Sequence, residues 1–164
     1  MCNLDRKLIS LKKEIDFICN YLEIMKLRFP EKLDIQLSFD ETLGKLKIPP
    51  MLLQPLVENS IKYGFVTRSQ LFHLTLSART EDGAAVLSVE AHGKGFPEEF
   101  RGTFDQNHTF EVPDNPESDN HVGLRNIYQR LLMYYGEDAS LKIDWNGEWS
   151  RVEIKIRDWE KYAL

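Results

Sequence analysis

The chain has 164 residues, of which 42% are hydrophobic and 29% charged, the size of one domain with enough apolar content to exclude a disordered chain. Twenty-one Lys and Arg against 26 Asp and Glu leave a net charge of −5, which argues against a nucleic-acid or anionic-membrane surface. Cys2 and Cys19 are too few for a disulfide framework and lack zinc-site spacing, and no run approaches the roughly 20 apolar residues of a membrane span. Asp5, Arg6 and Lys7 stand where a signal peptide would be apolar. The expectation is a soluble piece in a reducing, cytosolic setting, with a longer parent carrying membrane helices upstream left open.

From Leu4 to Phe29 the apolar residues Leu4, Leu8, Leu11, Ile15, Ile18, Leu22, Met25 and Phe29 recur every three or four positions, which predicts a long amphipathic helix. Ser10 is placed to cap a second segment of it, and Pro30 stops it. Leu33, Ile35, Leu37 and Phe39 alternate as a half-buried strand, with Leu46 and Ile48 as a short partner across the Glu41 to Gly44 turn. Pro49-Pro50 opens a helix through about Lys62, closed by Gly64. Leu71 to Ser77 and Ala85 to Glu90 read as a hairpin turning at Glu81-Asp82-Gly83. His92 to about Asn120 reads as a long loop, the kind that is usually functional. A helix over Val122 to Tyr135 and a closing hairpin, Leu141 to Trp145 and Val152 to Ile156 around Asn146-Gly147, complete the pattern. Helices and mostly antiparallel strands in this order imply an α+β fold, a two-layer α/β sandwich.

Three places carry candidate chemistry. In the helix after Pro50, Glu58, Asn59 and Lys62 cluster within about one turn, beside a buried stripe of Leu53, Leu56, Val57 and Ile61. An amide oxygen is a hard ligand for magnesium, a carboxylate can orient or deprotonate a nucleophile, and an ammonium meets phosphate. A solvated helix face with one Glu58-Lys62 pair accounts for the same spacing. Gly93-Lys94-Gly95 lets backbone amides approach a ligand. At His121-Val122-Gly123-Leu124-Arg125-Asn126 a loop enters a helix whose unpaired amides suit a phosphate.

In this order, with a long loop between the second and third, these signals resemble the N, G1 and G2 boxes of the GHKL ATPases. Asn20-Tyr21-Leu22-Glu23-Ile24 with Arg28-Phe29, and Ile48 to Gly64 containing Gln54-Pro55-Leu56-Val57-Glu58-Asn59, closely resemble the LytS-like sensor histidine kinases. Gly123-Leu124-Arg125-Asn126-Ile127 with Gln129-Arg130-Leu131 and Tyr135-Gly136 resembles their G2 helix. The likeness covers nearly the whole chain. It implies a Bergerat-type sandwich, a mostly antiparallel mixed sheet with helices on one face, that binds ATP and Mg2+ and phosphorylates a histidine on a neighbouring dimerisation helix.

Carried over by position, the resemblance gives Asn59 the magnesium, makes Glu58 the catalytic group, and puts Lys62 near the phosphates. Tyr63, Ala91, Gly93, Gly95, Phe96, Gly123, Leu124, Arg125 and Asn126 would line the nucleotide pocket and lid. Residues 1–30 would continue from a dimerisation and phosphoacceptor region, and 31–164 would form the ATPase domain with a lid at about 93–121. The family's phosphorylated histidine sits upstream of the matching region, so His73, His92, His108 and His121 read as surface or loop histidines. The implied partners are ATP, the upstream helices and a response regulator, in a homodimeric bacterial membrane sensor whose catalytic domain is cytoplasmic.

One box departs from the pattern. The family's G1 box reads Asp-Asn-Gly-x-Gly, and here Ala91-His92-Gly93-Lys94-Gly95 replaces the carboxylate that accepts from the adenine amine. Between Gly102 and Asn120 the lid carries Asp105, Glu111, Asp114, Glu117 and Asp119 without Lys or Arg, so its field opposes a triphosphate. A degenerate domain that has lost ATP and serves as an interaction or regulatory module is the alternative reading.

Overall fold

The computed structural model describes residues 8–64, 71–92, 102–108 and 119–163. Helix α1 (Leu11–Arg28) begins where Ser10, in extended conformation, accepts the Lys13 N–H at 3.2 Å, satisfying one of the donors a helix start leaves open. Its buried face is Leu11, Glu14, Ile18 and Leu22. Within the described residues the helix predicted from Leu4 therefore starts later. Ile9–Ser10 instead forms a short strand, β1, paired antiparallel with β3 (Lys47–Ile48).

That pairing also corrects the partner expected for Leu46 and Ile48. Strand β2 (Leu33–Phe39) does not turn back onto them. Asp40 accepts the Thr42 N–H at 2.9 Å and starts a 3-10 turn over Glu41–Lys45, which carries the chain across to α1. There the Leu11 N–H donates to the Leu46 carbonyl at 2.8 Å.

The main sheet comprises β2, β4 (Phe72–Glu81), β5 (Ala84–His92), β6 (Gly102–Phe104), β7 (Ala139–Trp145) and β8 (Trp149–Ile156). Its order is β2-β4-β5-β8-β7-β6, with β2 and β4 parallel and every other pair antiparallel. Asp82 and Gly83 form a two-residue turn with φ of 50° and 76°, the backbone that closes a twisted hairpin without splaying it. Alternation along the strands separates two faces. Leu74, Leu76, Leu87, Val89, Leu141, Ile143, Ile154 and Ile156 are buried on one, while Asp34, His73, Thr75, Glu90, Arg151 and Lys155 fall on the other.

Helix α2 (Gln54–Gly64) and helix α3 (Asp119–Tyr135) cover the apolar face. Leu56, Val57 and Ile61 from α2 meet Leu124, Ile127, Leu131 and Tyr135 from α3 in one core cluster with the strands. Each such large side chain contributes about 1.5 to 3 kcal/mol by leaving water. The result is the α+β two-layer sandwich with a mostly antiparallel mixed sheet, as the sequence predicts. One strand was read there as loop: Gly102–Phe104 pairs with β7 at the sheet edge. Tyr128 of α3 anchors it, its ring edge-on to Phe104 at 6.4 Å. The Tyr128 hydroxyl lies 2.8 Å from the Asp105 carbonyl and 3.1 Å from that of His108.

Candidate functional site

The N-terminus of α2 is held from both neighbouring helices. Glu14 is only 1% exposed, and its Oε1 accepts the N–H groups of Leu53 and Gln54 at 2.8 and 3.2 Å while Oε2 accepts that of Met51 at 2.9 Å. A carboxylate against the amides of a helix start is favoured twice, by hydrogen bonding and by the helix dipole. Arg130 of α3 donates to the carbonyls of Met51, at 3.1 Å, and Pro50. The segment before α2 is thus bound through its donors to α1 and through its acceptors to α3. This is why α2 begins at Gln54 and not at the predicted Pro50: the Pro50 carbonyl, both backbone groups of Met51 and the Leu53 N–H are committed to Glu14 and Arg130.

Glu58 and Asn59 lie on the half-buried edge of α2. Gln54 Nε2 donates to Glu58 Oε1 at 3.1 Å, one helical turn away. Burial, and then the negative charge of Glu58, push the Tyr21 phenol above its ordinary pKa, which places Glu58 within electrostatic reach of α1. Ser60 Oγ donates to the Leu56 carbonyl at 2.8 Å, so it is turned back onto the helix. Lys62 is exposed on the same helix.

Helices α2 and α3 meet at Asn59 and Gly123. A Cβ placed on Gly123 would sit 3.6 Å from Asn59 Nδ2, so a side chain at this position would lie directly against the amide. Gly123 is the fifth residue of α3, which starts at Asp119 and not at the predicted Val122. The N–H groups left open by the helix start therefore belong to residues 119–121. Beyond them Leu124 is buried in the core, 1% exposed, and Arg125 and Asn126 are exposed on the helix.

Ala91 lies on the covered face of β5, 4% exposed, between Leu74 on β4 and Ser150 on β8. Gly93, Gly95, Phe96 and the side chains of Tyr63 and His121 lie outside the described residues. The donor set, an amide, a carboxylate and an ammonium on α2 with the amide against Gly123 of α3, has the chemistry for the metal and phosphate end of a magnesium nucleotide. At Ala91, where the resemblance places the contact to the base, the side chain is a methyl group and not a carboxylate. Glu14, Gln54 and Arg130 were not read as functional from the sequence. The signal for Glu14 was present, since a charged residue at the i+3 position of the Leu11, Ile18, Leu22 stripe has to find buried donors.

A family model described as histidine kinase matches residues 1–33. The sensor protein LytS of Oceanobacillus iheyensis is 33% identical over 147 residues, 90% of this chain and 25% of that protein. The catalytic domain of histidine kinase ThkA superposes with a TM-score of 0.64 at 15% identity, covering 93% of this chain and 96% of that one. Full-length ShkA in complex with AMPPNP superposes with a TM-score of 0.59 at 18% identity over 92% of this chain and 31% of that one. The fold is that of the catalytic domains of histidine kinases. Within that class the chain is a homologue of the LytS sensor proteins. It spans about a quarter of the length of the curated relatives it matches. No helix among the described residues is long and apolar enough to cross a membrane.

Proposed function

We propose that this domain binds Mg-ATP between α2 and α3 and is the catalytic part of a two-component sensor kinase, transferring the γ-phosphoryl group to a histidine on an upstream segment. The observation that carries the reading is the approach of Asn59 to Gly123, with 3.6 Å between the amide and the position a Cβ would take. Asn59 would hold the metal through its amide oxygen. Glu58, steadied by Gln54, would orient the incoming imidazole and take its proton. Lys62 would meet the phosphates, together with the open N–H groups of residues 119–121 at the head of α3. Bound magnesium would supply charge neutralisation on the transferring group. Positioning and preorganised charge then carry the reaction, as phosphoryl transfer requires.

In this reading residues 1–30 continue from dimerisation and phosphoacceptor helices, and 31–164 form the ATPase domain with its lid near 93–121. The parent would be a homodimeric bacterial membrane sensor with this domain in the cytoplasm and a response regulator as the next phosphoryl acceptor. The ShkA complex with AMPPNP supports a nucleotide-binding role for this fold. The test is a thermal melt with and without millimolar Mg-ATP. A ligand at 100 times its Kd adds about 2.7 kcal/mol, or roughly 5 to 10 °C for a chain of this size, and Asn59→Ala should abolish the magnesium-dependent part.

The 4% exposure of Ala91 favours a second reading. A methyl group stands on the covered face of the sheet where the family places the adenine-binding carboxylate. On that reading the domain has kept the fold and serves as an interaction or regulatory module, and Mg-ATP leaves the melt unmoved.

A further inference from the structure

The face of the sheet opposite α2 and α3 carries a second constellation, remote in chemistry from the α2 edge. Asp34, His73 and His92 lie side by side in one row across β2, β4 and β5. Asp34 is opposite His73 in the parallel register, and Leu74 opposite Ala91 makes His73 and His92 the next cross-strand pair. Leu74 and Ala91 point into the core, so the two imidazoles stand on the solvent side. Their ring centroids are 5.0 Å apart with an interplanar angle of 59°. Asp34 Oδ2 lies 2.8 Å from His73 Nδ1. The rings border a cavity of about 220 Å³ completed by Gln36, Thr75 and Glu90.

We propose that His73 and His92 form a binding site for a borderline divalent transition metal of the zinc or nickel kind, with Asp34 orienting His73. The spacing follows from coordination geometry. With metal–nitrogen bonds of 2.0 to 2.1 Å, two imidazoles on a tetrahedral ion have ring centroids roughly 5 Å apart, the separation already present. An Nδ1–H donating to Asp34 fixes the His73 tautomer and leaves Nε2 as the ligand, the carboxylate-histidine-metal arrangement. Imidazole nitrogen selects zinc, nickel and copper over magnesium and calcium, so this site and the oxygen donors of α2 would not compete for the same ion.

Among the described residues no third His, Cys, Asp or Glu completes a metal cluster. Glu90 borders the cavity, but its Oε2 accepts from Arg151 Nε at 2.7 Å and from Nη2 at 2.5 Å. The other coordination positions would be filled by water. The cavity has space for it, since one water occupies about 30 Å³. Such a site exchanges its metal and leaves the fold independent of it, unlike a closed four-ligand structural site.

Isothermal titration of the chain with NiCl2 and with ZnCl2 tests the assignment, and it does not depend on the kinase reading because no nucleotide is present. One site is expected, weakened at least about tenfold by His73→Gln or His92→Gln and roughly 10- to 100-fold by Asp34→Asn, with MgCl2 giving no binding there. Both histidines are on the solvent face, and circular dichroism melts confirm that the variants fold. On the unmodified chain, substoichiometric Ni2+ should broaden the ring proton signals of His73 and His92 before those of His108 and His121. Absence of binding at millimolar metal, full affinity in the His73→Gln/His92→Gln double variant, or broadening centred on another histidine would overturn the proposal.

Discussion

Glu14 tests the architecture beneath the site. Glu14→Ala removes an acceptor from three N–H groups, those of Met51, Leu53 and Gln54. Met51 is exposed and Leu53 is 1% exposed, so water can replace the carboxylate at the first and not at the second. Hydrogen bonds to charged groups contribute about 1.5 to 3 kcal/mol, and a buried donor left unsatisfied costs about 1 to 3 kcal/mol. Allowing for rehydration of Met51 and partial collapse, Glu14→Ala should destabilise the fold by about 3 to 5 kcal/mol, a Tm decrease of roughly 6 to 20 °C. Glu14→Gln keeps an oxygen for Leu53 and Gln54 but sets an amide NH2 against the Met51 N–H, a loss of about 1 to 2 kcal/mol. Urea unfolding followed by circular dichroism gives both values, and hydrogen exchange at Leu53 and Gln54 reports whether the loss is local. A Glu14→Ala variant within about 1 kcal/mol of the parent, or a Glu14→Gln variant as damaged as the alanine, would refute the capping argument.

Gly123→Ala should separate stability from binding. Alanine in a helix interior is favoured over glycine by about 0.5 to 1 kcal/mol, and a contact at 3.6 Å from Asn59 is ordinary packing. The variant should therefore melt no lower than the parent while binding Mg-ATP at least about fivefold more weakly by titration calorimetry, because the added methyl lies against the Asn59 amide. Ala91→Asp should do the reverse, tightening adenine-nucleotide affinity by about tenfold through a restored acceptor, and lowering the melt of the unliganded protein because a carboxylate then occupies a position 4% exposed. Unchanged affinity would place the base-binding defect elsewhere. Acid titration should show the carboxyls of Asp40, Asp105 and Asp138 held below their ordinary range, chiefly by hydrogen bonds from Thr42, His108 and Lys161 respectively. A depressed folded-state pKa gives stability that is complete above the unfolded value of about 3.9 and is lost as pH falls through the lower folded values. Denaturant melts between pH 5 and pH 2.5, or about that range, should register the loss, reduced in Asp138→Asn. A slope unaffected by that substitution would contradict the assignment for Asp138.

The sheet and the helices were legible because their periods are strong. Leu74, Leu76 and Ala78 against Leu87 and Val89 alternate cleanly, and Leu124, Ile127, Leu131 and Tyr135 repeat at helical spacing. The pairing partners were less so. Nothing local in Lys47-Ile48 says that it joins Ile9-Ser10 across about 37 residues and not the strand just before it, because that choice is made by Asp40 starting a 3-10 turn. The boundaries of α2 and α3 were misplaced for the same reason. Glu14 and Arg130 compete for the backbone of residues 50–53 from elsewhere in the chain, and α3 begins at Asp119, inside what composition alone makes a loop. In the candidate site, the meeting of Asn59 with Gly123 was anticipated through the family resemblance. The spacing of Glu58, Asn59 and Lys62 alone fits an ordinary solvated edge equally well. The support for that edge, from Glu14, Gln54 and Arg130, depends on long-range contacts that no window of sequence contains.

If the edge of α2 and the head of α3 share one nucleotide, a single ligand perturbs both. Nuclear magnetic resonance titration of the 15N-labelled chain with Mg-ATP tests it most directly. The Asn59 side-chain amide and the Gly123 backbone amide should shift together along a single saturation curve, and both should stay still when magnesium is withheld by EDTA. Shifts absent at millimolar nucleotide, or confined to the opposite face around His73 and Thr75, would contradict it.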